Sequence, residues 1–248
     1  MNWVHWALAP LKVALAVLHT AGCSAFGLAV LFVDKTKGDW VMWNVGKRMW
    51  SLPLLRVLVG VRIRVSVDPR ATALTERGKG AVLVANHASL LDIHAAFVAS
   101  PTPIVFLSKA SIRKVPLLGL INERAGTVFV ERGNRSSSER AVATLTSTLK
   151  NGRSVLVFPE GTRSKHGALQ PFKKGAFHLA LAARSEVVPM HISGTFELLP
   201  PGAFFFRPPR REIWVRIGAP LAQSDEDTPE SLMRKAEHAV GNLANLSN

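Results

Sequence analysis

"GAVLVANHASLLD", residues 80–92, decides how the chain folds. Ala81–Ala85 is a short apolar run bounded by Gly80, and the residues behind Asn86 open a helical pattern. A buried strand that turns straight into a helix is the first half of a βαβ unit. Open α/β sheets place their functional groups outside the carboxyl ends of such strands. His87 and Asp92 stand at that point, five positions apart. On one regular helix that spacing puts two side chains about 140° apart. The pair can meet only if His87 lies in the turn before the helix and Asp92 in its first turns.

Outward from this unit the same texture repeats. Apolar or β-branched runs occur at 61–67, 81–85, 104–108, 127–130, 154–158, 187–192 and 212–217. Helical patterns lie between most of them, at 90–100, about 112–123, 136–151 and 174–184, with a last one at about 228–246 behind Pro229. The alternation predicts an α/β domain with a largely parallel or mixed sheet of about seven strands flanked by helices. The runs 81–85 and 154–158 are apolar throughout, as strands covered on both faces should be. "RIRVSV" (62–67) alternates and reads as an edge strand, and Pro189 inside "VVPMHI" points to an edge or a bulge.

Residues 1–60 differ from the rest, so two regions are expected: membrane-associating helices over 1–60 and the α/β domain over 61–248. From Leu11 to Val33 the chain is apolar apart from Lys12, His19 and small polar residues. As a helix that stretch is roughly 34 Å long, enough to cross or deeply enter a bilayer. Five of the six tryptophans (Trp3, Trp6, Trp40, Trp43 and Trp50) fall in this region, and tryptophan favours the membrane–water boundary. Lys35, Lys37, Lys47 and Arg48 follow the apolar run, which puts that side in the cytoplasm, on the inner membrane's cytoplasmic face. Asn44, Lys47, Arg48 and Ser51 are spaced i, i+3, i+4, i+7, so they predict a polar stripe on an interfacial helix, turned toward headgroup phosphates. Packing of that helix on the protein's own core is the plainer alternative. "PPGAFFFRPPRR" (200–211) is a proline-rich loop that either touches a membrane or is covered by protein.

Composition narrows the partners. The 248 residues carry 31 Lys+Arg against 17 Asp+Glu, a net charge of +14. Mean hydropathy is +0.18. The charge calls for a polyanionic partner: nucleic acid, an anionic membrane or an acidic carrier protein. No nucleic-acid motif is recognisable, and the aromatics cluster with an apolar helix rather than a basic groove, so no nucleic acid is expected. The single Cys23 leaves no internal disulfide and no multi-cysteine metal site. No G-x-S-x-G elbow is present, which argues against a serine hydrolase.

Within the first motif, His87 can act as a general base near neutral pH, and Asp92 can hold one imidazole nitrogen. A protein nucleophile beside the histidine is not evident, so the substrate's own hydroxyl would have to serve. Equally, Ser89-Leu90-Leu91-Asp92 fits a helix capping box, in which Asp92 merely satisfies helix amides. "VFPEGTRSKHG" (157–167) supplies Glu160, Gly161, Thr162 and Arg163 behind another apolar strand. Glycine lets backbone amides approach a ligand, and the guanidinium suits phosphate. A tight turn with solvated charges is the alternative there. "GTVFVERGNR" (126–135) offers Arg132 just past a strand, and Lys109 follows another by charge and position.

Taken together and in this order, N-H-x4-D, G-x2-F-V-x-R, F-P-E-G-T-R-S and V-V-P closely resemble the glycerophospholipid acyltransferase family over about residues 80–195. The likeness is closest to bacterial 1-acylglycerol-3-phosphate acyltransferases. The first and third elements match fully; the Gly126–Arg132 and Pro189 elements match more loosely. The resemblance implies that His87, supported by Asp92, deprotonates a hydroxyl of a glycerol phosphate lipid. It implies a lysophosphatidic acid acceptor, an acyl-CoA or acyl-carrier-protein donor, and no bound cofactor or metal. Arg132 and the Glu160–Arg163 segment would bind the acceptor and its phosphate, with Lys109 added from its charge. An oxyanion stabiliser is required by the chemistry, with Gly161 a candidate. Family members also carry an N-terminal two-helix element that rests in one leaflet.

Overall fold

The structure, a computed structural model, describes residues 7–76, 78, 80–131, 133–207 and 212–246. The helices include α1 (Ala9–Val33), α2 (Val41–Ser51), α3 (Leu54–Val59), α4 (Pro69–Glu76), α5 (Leu91–Ala99), α6 (Leu118–Arg124), α7 (Arg135–Lys150), α8 (Gly175–Ala183), α9 (Thr195–Leu198) and α10 (Pro229–Ala244), with short helical turns at Lys35–Lys37, Gly38–Trp40 and Ala110–Lys114. The strands are β1 (Arg62–Val67), β2 (Val82–Ala85), β3 (Ile104–Lys109), β4 (Val128–Val130), β5 (Ser154–Val157), β6 (Val187–Ser193) and β7 (Glu212–Ile217).

These seven strands form one sheet in the order β1-β7-β6-β2-β5-β3-β4. Every pairing is parallel except β6 with β7, so the sheet is mixed. β2 and β5 sit at its centre, and every residue of both is buried. β1 is an edge strand, as its alternation predicts. Successive residues of β2 point to opposite faces. Leu83 and Ala85 join one core cluster with α5 and the N-terminal helices, while Val82 and Val84 join the other with α7, α8 and α10. The domain is thus three layers, helix–sheet–helix.

Pro189 corrects one expectation. It lies inside β6, which is flanked on both sides by β2 and β7. It is tolerated because pairing with β7 begins only at Met190. The Pro189 carbonyl still accepts from the Gly218 N–H at 2.9 Å, so the missing amide hydrogen removes one bond at the end of that ladder. α4 was not anticipated, because "PRATALTE" carries little apolar periodicity.

α1 is long and apolar enough to cross a membrane by length and composition. One side of it docks on the protein. Gly27 permits the close approach: a Cβ there would lie 3.0 Å from Ile121 Cδ1 and 3.2 Å from Val41 Cγ1. Trp50 Nε1 donates to Thr20 Oγ1 at 3.0 Å, and His19 Nε2 lies 3.1 Å from the Trp50 carbonyl. The other side is open, with Leu18 at 68% and Phe32 at 88% exposure beside Leu11, Leu15 and Val17.

α2 departs from the expected polar stripe. Its turns are wider than α-helical, with hydrogen bonds from residue i+5 back to i, as in Leu52 N–H to the Lys47 carbonyl. That shifts side chains away from a 3.6-residue period. Lys47 Nζ therefore turns inward and donates to the Ser100 carbonyl at 2.8 Å, over the Trp43 ring. Ser51 is fully buried against His94, with Oγ 3.2 Å from Nδ1. Only Arg48 and, in part, Asn44 stay on an open face. His94 also packs on Trp50, ring centroids 4.3 Å apart, and its burial pushes its pKa down to about 3, helped by His19.

Candidate active site

The end of β2 is pinned before the site begins. Asn86 is buried and imitates a backbone rung: its amide donates to the Ile192 carbonyl at 2.8 Å, and its carbonyl oxygen accepts from the Ile192 N–H at 2.7 Å. The chain then turns, so His87 lies ahead of the helix and Asp92 in its first turn. His87 Nδ1 meets Asp92 Oδ2 at 2.9 Å. Asp92 is fully buried while the His87 side chain keeps 15% exposure.

The expected capping box is not formed, since Ser89 Oγ accepts from the Leu91 N–H rather than from that of Asp92. Asp92 Oδ2 also accepts from the Ala88 and Ser89 N–H groups, each at 2.7 Å, so the carboxylate ties down the turn ahead of the helix and meets the imidazole. Oδ1 accepts from Thr195 Oγ1 at 2.5 Å. Four donors on one carboxylate satisfy a group that would otherwise be expensive to bury. Because that oxygen can only accept from the ring, Nδ1 is assigned the hydrogen, leaving Nε2 as the basic nitrogen. The imidazole plane is held by Phe158, stacked at 4.0 Å with 17° between the rings.

The "FPEGTR" turn supports the histidine from the other side. Glu160 Oε1 accepts from the His87 N–H at 2.9 Å, and the Ser164 N–H donates to the His87 carbonyl at 2.7 Å. Glu160 is buried. Burial pushes its pKa up to about 7, the Asp92 charge adds to this, and hydrogen bonds from His87 and Gln170 oppose it. Its Oε1 thus lies beneath the histidine. Gly161 takes φ +75°, and its N–H donates to the Phe158 carbonyl at 3.0 Å. That bond occupies the amide proposed for an oxyanion, so Gly161 does not supply it in this conformation.

Lys109 and Gly161 meet at one cavity of about 330 Å³. Lys173 and Ser138 also line it, and Phe158 is shared between this cavity and the His87 ring. Its floor is apolar, with Val142, Leu145 and Leu179. Thr162 is exposed, and Arg163 is half-buried next to the Ser164 contact with His87. Arg132 lies outside the described residues; its neighbour Gly133 lines the cavity. Sequence reasoning assigned no role to Thr195, Asn86, Phe158 or Lys173, although Asn86 and Phe158 stand in the motifs. The first two act through folding contacts that span 103 and 106 residues, and local spacing carries no trace of them.

Residues 64–193 match the family model described as Acyltransferase. The chain belongs to the acyltransferase family. A yeast protein, the 1-acyl-sn-glycerol-3-phosphate acyltransferase of Saccharomyces cerevisiae, is 33% identical over 220 residues, 86% of this chain and 69% of that protein. A protein of the same name from Salmonella typhimurium is 35% identical over 133 residues, 53% of this chain and 54% of its own length. The chain thus spans about half the length of the second relative. Among solved structures, the 1-acyl-sn-glycerophosphate acyltransferase PlsC from Thermotoga maritima superposes with a TM-score of 0.79 at 24% identity over 100% of both chains, a likeness of fold. The acyltransferase match encloses His87, Asp92, Lys109 and the Glu160–Arg163 turn.

Proposed function

We propose that this acyltransferase moves an acyl chain from acyl-CoA or acyl-carrier protein to the free hydroxyl of 1-acylglycerol-3-phosphate, giving phosphatidic acid. The observation that carries the mechanism is the His87–Asp92 contact, with Nε2 left as the basic nitrogen. The relatives' printed names carry the acceptor. His87 Nε2 takes the proton from the acceptor hydroxyl as that oxygen attacks the thioester carbonyl. Asp92 stabilises the imidazolium so formed, the role aspartate has in hydrolase triads. Collapse of the tetrahedral intermediate breaks the C–S bond, and the imidazolium returns its proton to the thiolate. Arg163, Thr162, Lys109 and Arg132 are read as ligands of the acceptor's phosphate, a pairing that suits guanidinium and ammonium groups.

The open face of α1 favours attachment to the membrane, and the lysines behind it favour the cytoplasmic face of the inner membrane. A second acceptor, such as a lyso-ornithine lipid, would be served by the same dyad, since the chemistry needs only a nucleophilic hydroxyl. The test is purified protein given a panel of lysolipids with both donors. The His87→Ala variant is expected to lose about 10²–10⁴-fold in transfer while membrane binding is retained. No transfer by folded wild-type protein to any lysolipid would overturn the reading.

A further inference from the structure

The sheet edge that carries His87 bears a second group of residues outside the dyad. β7 runs antiparallel to β6 and β1 runs parallel to β7, with Trp214 registered against Ser193 and Arg62 against Glu212. The start of β1 therefore lies at the same edge as the end of β2. Three strand spacings separate them, about 14 Å. There Arg56, Arg62 and Arg64 line an open groove of about 500 Å³, and all three are exposed. Arg64 also pairs with Glu212. Val57, beside the groove on α3, is 75% exposed.

The segment from Leu199 to Arg207 crosses this edge. It starts at the site, where the Leu199 carbonyl accepts from Ser89 Oγ at 2.7 Å, and it leads toward β7. Phe206 is buried in the core shared with the N-terminal helices and anchors the loop. Phe204, two residues earlier, is 84% exposed, and Phe205 and Leu90 are exposed with it. Large apolar side chains held in water at an edge that also carries exposed arginines mark a contact surface.

We propose that Val57, Leu90, Phe204 and Phe205, with Arg56, Arg62 and Arg64, form a second contact with an anionic bilayer. This rests on the reading of the acceptor as a lipid. The apolar groups enter the headgroup boundary and the arginines meet the lipid phosphates, as interfacial segments do. α3 packs against α1, so the rim is continuous with the lipid-facing helix. An acidic carrier protein would satisfy the arginines but leave Phe204 and Val57 in water, so the bilayer is the better fit.

The test uses the full chain with Cys23→Ser, and Phe204→Cys labelled with an environment-sensitive fluorophore. On vesicles rich in phosphatidylglycerol the label is expected to shift to the blue and escape quenching by aqueous iodide. A label that stays open to iodide while the protein co-sediments with the vesicles would overturn the proposal. Unlabelled Phe204→Ser/Phe205→Ser and Arg56→Gln/Arg62→Gln variants provide the second measurement. Each arginine removed should weaken binding to anionic vesicles about fivefold, and both variants should raise the KM for vesicle-borne lysolipid. Transfer to a short-chain acceptor in solution should stay at the wild-type rate. If the arginine variants instead bind vesicles normally and raise the KM only for a carrier-protein donor, the surface docks that carrier and the proposal is wrong. If the label inserts but wild-type protein acylates no lysolipid, the activity reading fails and the bilayer contact stands.

Discussion

Thr195 donates to Asp92 across 103 residues of sequence, at 2.5 Å between Oγ1 and Oδ1. Asp92 is thereby fixed at both oxygens: Oδ2 by His87 and two backbone amides, Oδ1 by a hydroxyl that follows the end of β6. The carboxylate cannot turn about the Cβ–Cγ bond without losing a donor.

Removal of that hydroxyl should show this. Thr195→Val keeps the shape and leaves a buried oxygen short of a partner, which costs about 1–3 kcal/mol. The kcat is expected to fall about tenfold with KM for either substrate unchanged, because the base is misoriented rather than the substrate misbound. Thr195→Ser should recover most of the loss. A Thr195→Val enzyme with wild-type kcat would show that Asp92 is held well enough without it.

Glu160 gives a pH signature. Its pKa, pushed up to about 7, exceeds its ordinary value of 4.5, so the folded chain holds this proton more tightly than the unfolded chain. Stability must then fall as pH rises from about 4.5 to about 7, and the loss is complete above that. Glu160→Gln keeps an oxygen for the His87 N–H and removes the titration. Its melting temperature should be flatter across this window and higher than wild type on the alkaline side. Parallel melting curves for the two proteins would contradict the assignment.

Variants of Arg163 can tell the acceptor site from the donor site. If it holds the acceptor phosphate, Arg163→Ala should raise the acceptor KM by roughly 10- to 100-fold, the range of a lost charge-assisted hydrogen bond, and leave the donor KM alone. Arg163→Lys should restore only part, since a point charge replaces a planar fork. Steady-state kinetics with each substrate varied in turn reads the outcome.

How far the sequence could be read depends on the range of each contact. All seven strands were legible because each is a short apolar, β-branched or alternating run between turns, and the central pair stood out because both of its faces are covered. Their lateral order was not, since pairing is decided by crossovers rather than by local pattern. His87 and Asp92 could be matched because one turn brings them together. Thr195 and Asn86 reach their partners only through the finished sheet. Lys47 and Ser51 misled for a different reason: their spacing assumes 3.6 residues per turn, and α2 is wound more widely.

Gly27 marks where α1 meets the domain. Gly27→Leu would force its side chain into Ile121 and Val41, which a Cβ alone would approach to 3.0 and 3.2 Å. Overpacking of this kind costs about 1–3 kcal/mol. The melting temperature should drop by several degrees with the α/β core otherwise intact, and Gly27→Ala should fall between the two. Calorimetry would check the order.

The path from that junction to the chemistry is short. Thr20 on α1 bonds Trp50, Trp50 packs on His94, His94 also touches Ser51 of α2, and His94 stands two residues along the helix that begins with Leu91 and Asp92. The apolar helix α1 and the carboxylate that holds His87 are therefore joined by a continuous run of side-chain contacts. The open apolar face of α1 and the His87–Asp92 pair are thus two ends of one packed path through the protein, rather than separate features of the fold.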